Sequence, residues 1–122
     1  TNLHSMIAGL KGFNEDIPIV LVLGGIPKKE DISPMLERLK QLNLVVFLYG
    51  EASQAWASPL GEFLGKKLVV KENLVEVMSE GYTVAENIHA RYFIFSPACA
   101  SFDQYKNFEE RGEHFKALVS SI

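Results

Sequence analysis

Ile17-Pro18-Ile19-Val20-Leu21-Val22-Leu23, running straight into Gly24-Gly25, is the stretch on which the fold turns. Apart from its proline it is made of β-branched residues and leucine, with no polar residue alternating between them. A strand with one wet face alternates; a strand covered on both faces does not. The run therefore predicts a central strand of a parallel sheet with helices above and below it. Pro18 sits near the start, where a strand tolerates a missing N–H.

Working outward, the same logic alternates helix with strand. Upstream, Asn2 caps a predicted helix to about Lys11, with Leu3, Ile7 and Leu10 on one stripe and Gly12 ending it. Downstream, Ser33 followed by Pro34 predicts a cap and a first helical position, with Met35, Leu36, Leu39 and Leu42 turned inward. Leu44 to Tyr49 is a second buried strand. Glu51 to Leu64 reads as a helix broken at Pro59. Leu68 to Val70 is a short strand, and a helix spans about Asn73 to Ser79. Tyr82 to His89 reads equally as helix or loop. Arg91 to Phe95 is the last strand, and a helix is expected from Ser101 to Leu118. Helices and strands taking turns in this way give βαβ units. The fold class is α/β: a Rossmann-like three-layer domain, mostly parallel, filling residues 1–122 as one unit.

Composition fits one such domain and narrows its partners. The 122 residues carry a formal net charge of −3, with basic and acidic residues interspersed, which argues against a nucleic-acid binder. The one cysteine, Cys99, has no internal disulfide partner, so packing must hold the fold, as suits a reducing cytoplasm. No apolar run approaches the length of a membrane span. His4, His89 and His114 are scattered without metal-ligand spacing, so no metal site is expected. Neither the dinucleotide glycine fingerprint nor the phosphate-binding loop pattern is present. The chain opens on Thr1 and runs at once into a helix pattern, the expectation being a piece of a longer protein.

In doubly wound sheets, ligands bind at the carboxyl ends of strands, where the strand order reverses. Two loops there stand out. After the first strand, Gly24-Gly25-Ile26-Pro27-Lys28 offers close backbone approach and then a mobile positive charge. After the last, Ser96-Pro97-Ala98-Cys99-Ala100-Ser101 leads into a helix start with a hydroxyl, a ready anion site. With a strand order of 3-2-1-4 the two loops flank one crevice, suited to a small ligand with two separated carboxylates. Each feature also has a plainer reading. Ser101 and Gln104 form a capping-box pattern, and Lys28 lies in a charged run typical of a solvated loop. Phe102, Tyr105, Phe108 and Phe115 read mostly as core at helical spacing.

The segment from Ser96 to Gly112, SPACASFDQYKNFEERG, closely resembles the signature of the D-glutamate-adding branch of the Mur ligase family, and Gly24, Gly25, Lys28 and Asp31 fit its upstream loop. Thr1-Asn2 resembles the end of that family's linker motif. The loop departs from the pattern at Ile26-Pro27, where the family commonly has small or glycine residues. The resemblance implies a C-terminal domain that brings D-glutamate to UDP-N-acetylmuramoyl-L-alanine. ATP and magnesium would be held by a separate central domain and the UDP-sugar by an N-terminal one. It implies that Lys28 and Thr1 take the α-carboxylate, and that Ser101, with backbone N–H groups around Phe102 and Phe108, takes the γ-carboxylate. Asp103, Lys106, Asn107 and Arg111 would orient the helix. No catalytic residue and no membrane partner is expected in residues 1–122, and the protein is expected to be a monomer. Two rivals remain: another amide ligase of the same superfamily, such as a folylpolyglutamate type, and a free-standing Rossmann-like binding module.

Overall fold

The structure is a computed structural model and describes residues 3–27, 31–98 and 104–120. Four parallel strands form one sheet: β1 (Ile19–Gly24), β2 (Leu44–Tyr49), β3 (Leu68–Lys71) and β4 (Tyr92–Ala98), in the order β3-β2-β1-β4. The order on which a shared crevice depended is therefore the one observed, and the reversal lies between β1 and β4. Every residue of β1 is buried, which is why its sequence carries no alternation.

Successive side chains of β1 divide the core. Ile19, Leu21 and Leu23 pack with α1 (Leu3–Gly9), α2 (Ser33–Leu39) and α3 (Ala52–Leu64), through Met6, Met35, Leu39, Trp56 and Leu60. Val20 and Val22 face the other layer, where Phe47, Leu74, Val77 and Met78 meet Phe95 and Phe115 of β4 and α5. The helices of that layer are α4 (Leu74–Asn87) and α5 (Phe108–Ser120). A short 3₁₀ turn, Gly65–Lys67, leads into β3.

Several sequence expectations need correction. Pro59 does not break α3, which runs unbroken from Ala52 to Leu64. Trp56, Leu60 and Leu64 bury one face of that helix, while Ala55, whose carbonyl loses its partner to the proline, is exposed and can be hydrated. The ambiguous segment from Tyr82 continues α4 to Asn87. Gly81 in its middle brings the helix against Phe93, where an added β-carbon would come within 3.0 Å of the ring. Ser33 is the first residue of α2, not its cap; the cap position is Ile32, and Asp31 before it accepts from the Ser33 N–H at 3.0 Å and its hydroxyl at 2.7 Å. The cap expected at Asn2 lies outside the described residues. At the far end of α1, Arg38 donates to the carbonyls of Leu10 (2.6 Å) and Phe13 (2.7 Å), and so satisfies groups a helix end leaves open.

Candidate functional site

The carboxyl edge of the sheet is built first by β1 and β4, which pair in parallel with Gly24 opposite Ala98. Their register shifts between Val22 and Gly24: Val22 faces Phe95, yet Gly24 faces Ala98, so β4 holds one extra residue around Ser96-Pro97. A bulge accommodates the missing proline N–H. The strand thus continues three residues beyond the expected end at Phe95, to Ala98, so Ser96 belongs to the strand and not to a loop.

The two glycines that end β1 have different reasons. A β-carbon on Gly24 would be driven into the fully buried ring of Tyr49. Gly25 has φ 112°, a conformation that disfavours any side chain. Its N–H reaches the Tyr49 carbonyl at 3.4 Å, and its own carbonyl accepts from Ala52 N–H at 2.7 Å. The close approach read from sequence is therefore an approach to β2, and the glycine pair locks the start of the loop onto its neighbour. Where that loop re-enters α2, the Ser33 hydroxyl and N–H hold the Asp31 carboxyl below its ordinary value.

The connection from β4 to α5 differs from the sequence expectation. Residues 104–107 are turn and bend, and α5 begins at Phe108, not at Ser101. Its cap is Asn107, whose side chain accepts from Glu110 N–H at 2.8 Å, while Glu110 reaches back to Lys106 N–H at 3.3 Å. Asn107 and Glu110 thus do the capping expected one motif earlier, at Ser101 and Gln104, with the glutamate reaching the residue before the cap. Gln104 instead donates to the backbone carbonyl of Glu72 at 2.6 Å. Phe108 is 59% exposed and does not belong to the core. Its position at the first turn of α5 turns its backbone N–H toward the helix start. Tyr105 Oη is hydrogen-bonded to His114 Nδ1 at 2.6 Å. Arg111 is 2% exposed, makes a long contact of 3.5 Å to the Gly24 carbonyl, and lies 6.0 Å from the Phe95 ring centre. The orienting roles expected for Asn107 and Arg111 are thus visible as a cap and a buried strut.

Lys28, Ser101, Thr1 and Phe102, four of the five residues expected to hold ligand, lie outside the described residues, as do Cys99 and Asp103. Phe108 is the one that is described. Beside the crevice, an open cleft of about 630 Å³ is lined among the described residues by Gly50, Ser53, Lys71, Glu72, Glu76 and Gln104. Lys71 is paired with Glu80 at 2.6 Å, which raises its pKa. A second groove, of about 900 Å³, lies on the outer flank of α4, β4 and α5 around Tyr82, Phe93 and Phe115. Among the described residues no three His, Cys, Asp or Glu side chains come together as a metal site. No helix among them is long and apolar enough to cross a membrane.

No family model matches the chain. Curated relatives do, along its whole length. It is 42% identical to a UDP-N-acetylmuramoylalanine–D-glutamate ligase of Leptospira interrogans serogroup Icterohaemorrhagiae serovar copenhageni, over all of this chain and 30% of that protein. It is 44% identical to the ligase of the same name from Leptospira borgpetersenii serovar Hardjo-bovis, over all of the chain and 29% of the relative. With that of Prochlorococcus marinus the identity is 41% over 98% of the chain and 25% of the relative. By sequence, the whole of this chain is similar to one part of these D-glutamate ligases. It spans about 30% of the length of the relatives it matches first, a domain's share of a larger protein.

Within the family's signature, sequence reasoning missed the β4 bulge and the tie made by Gln104. The true start of α5 carried a signal. Asn107 followed three residues later by Glu110 is as good a capping pattern as Ser101 with Gln104, and it is the one realised. Nothing in the local sequence announces that Gln104 reaches a carbonyl 32 residues away.

Proposed function

We propose that this chain is the D-glutamate-binding C-terminal domain of an ATP-dependent ligase that joins D-glutamate to UDP-N-acetylmuramoyl-L-alanine in peptidoglycan precursor synthesis. The observation that carries the reading is the pairing of Gly24 with Ala98 on adjacent parallel strands at the reversal of strand order. Lys28 follows the first by four residues in sequence and Ser101 the second by three, and the two strands end at one edge of the sheet. Whole-length identity to ligases named for D-glutamate supplies the ligand class.

Lys28 and Thr1 would meet the α-carboxylate. Ser101, with backbone N–H groups around Phe102 and Phe108, would meet the γ-carboxylate. An ammonium on one side and N–H and O–H donors on the other suit a dianion, because hydrogen bonds to charged acceptors are the stronger kind. The bound amine is then held for attack on an activated carboxyl carried by the rest of the ligase. A domain that swings in with its amino acid also excludes water from that carboxyl.

ATP and magnesium belong to the proposed whole enzyme and not to this domain. Residues 1–122 carry no phosphate-binding loop pattern, in keeping with the nucleotide being held by another part of the proposed enzyme. The domain alone would then make no product. We place the enzyme in the cytoplasm, as a monomer.

The test is Lys28→Ala in the full-length ligase. A lost charge-assisted contact is worth about 1.5–3 kcal/mol, so the KM for D-glutamate should rise by about tenfold or more with the KM for ATP unchanged. An unaltered D-glutamate KM removes Lys28 from the site.

A further inference from the structure

We infer that Arg111 sets the charge selectivity of the amino-acid site, as a buried positive charge that acts on the ligand's γ-carboxylate through its field and not by contact. The inference deepens the D-glutamate reading and rests on it. The groups proposed for that carboxylate, a hydroxyl and backbone N–H groups, are all neutral. Neutral donors also serve an amide oxygen, whereas a fixed positive charge rewards the carboxylate alone.

The described residues put such a charge at the reversal of strand order. Arg111 stands on α5 three residues after Phe108, and side chains lean toward the start of their helix. Its Nη1 comes to 3.5 Å from the carbonyl of Gly24, the last residue of β1, and its guanidinium lies 6.0 Å from the centre of the Phe95 ring on β4. β1 and β4 are the two strands between which the order reverses. The charge is therefore held at the carboxyl edge of the sheet, against the strands that flank the crevice. Arg111 is also the one buried charged residue among those described. Burial strips water from a charge at a cost, and leaves its field less screened. The place adds to the cost, because a helix start is itself positive and favours acids. Glu109 and Glu110 follow that rule on the exposed side of the same turn. Two sources of positive potential thus converge beside Gly24, and an anion bound there relieves both. At an effective dielectric of about 20, unit charges about 8–10 Å apart interact strongly enough to change an affinity by about tenfold or more.

The experiment is a pair of titrations of the isotopically labelled 122-residue chain, with D-glutamate and with isosteric D-glutamine, followed by amide chemical shifts. The variants are Arg111→Met, Arg111→Gln, Arg111→Lys and Lys28→Ala, each with its thermal midpoint. The wild type should bind D-glutamate with Kd of about 1 mM and prefer it to D-glutamine by about tenfold or more. Methionine keeps the length and glutamine keeps a donor for the Gly24 carbonyl, but both lose the charge. Each should weaken D-glutamate binding by about tenfold and D-glutamine binding by less than about threefold, so that the preference collapses. Arg111→Lys keeps the charge and should keep the preference to within about threefold. Equal weakening of both ligands in the uncharged variants marks a structural role and overturns the inference. So does an unchanged preference in those variants while Lys28→Ala weakens binding, an outcome that leaves the site reading standing. If neither uncharged variant folds, Arg111→Lys decides: a preference kept supports the inference, and a preference lost overturns it. A wild type that responds to neither ligand overturns the site reading and this inference together.

Discussion

Replacing Gly24 by alanine sets two effects of opposite sign against each other. Gly24 lies in a strand and is not among the glycines with positive φ. On backbone grounds alone, alanine there would stabilise by about 0.4–1 kcal/mol, because the unfolded chain has fewer conformations to lose. Against this, the new methyl overlaps three atoms of the Tyr49 ring, which is wholly buried and has no solvent to retreat into. Overpacking a tight core costs about 1–3 kcal/mol, and an overlap this deep belongs at the upper end. The steric term wins. Gly24→Ala should destabilise the chain by about 2 kcal/mol net, read as a lowered urea midpoint at unchanged slope. Tyr49→Leu removes the ring, and in that background Gly24→Ala should become neutral or stabilising, a coupling of about 2 kcal/mol. If Gly24→Ala is neutral or stabilising with Tyr49 present, the steric account of the β1 edge is wrong.

Two further predictions follow from the corrections to the fold. Pro59→Ala should stabilise by about 1–2 kcal/mol, since it restores an N–H to the Ala55 carbonyl inside a continuous helix and loses only the rigidity of proline in the unfolded chain. A thermal midpoint that falls would mean the proline is shaping α3. Asp31 holds the Ser33 N–H and hydroxyl, which depresses its folded pKa. Its contribution is therefore present above the ordinary carboxylate range and lost as pH falls through the folded value. The stability gap between wild type and Asp31→Asn should narrow from about pH 6 to about pH 2. A gap independent of pH would show that the carboxylate does not hold Ser33 at the start of α2.

The parts of the fold legible in sequence are those where burial writes directly on composition. β1 and β2 are continuous apolar runs because both faces are covered, and β2 was bounded correctly at Leu44 and Tyr49. The order of elements gave a parallel sheet with helices on both faces, and the strand order taken as a condition for a shared crevice is the one observed. Local rules failed where a distant partner decided the outcome. Tyr82 onward is helical because Gly81 lets α4 settle on Phe93, a strand residue not yet met when the chain is read from its start. The start of α5 was misplaced because two capping patterns stood six residues apart and local sequence does not rank them. The candidate site divides likewise. The glycine pair was readable from pattern; the ligand identity came from family likeness; the adjacency of β1 and β4, the bulge and the Gln104 tie come only from three-dimensional pairing.

The most direct test of a D-glutamate site between the two carboxyl-edge loops is a crystal structure of the chain grown with D-glutamate. One carboxylate of the ligand should lie within hydrogen-bonding distance of Lys28 Nζ and the other at Ser101 and the backbone N–H groups near Phe108. D-glutamate found instead in the cleft beside Lys71 and Glu76, or bound with Lys28 and Ser101 turned away from it, would contradict the account.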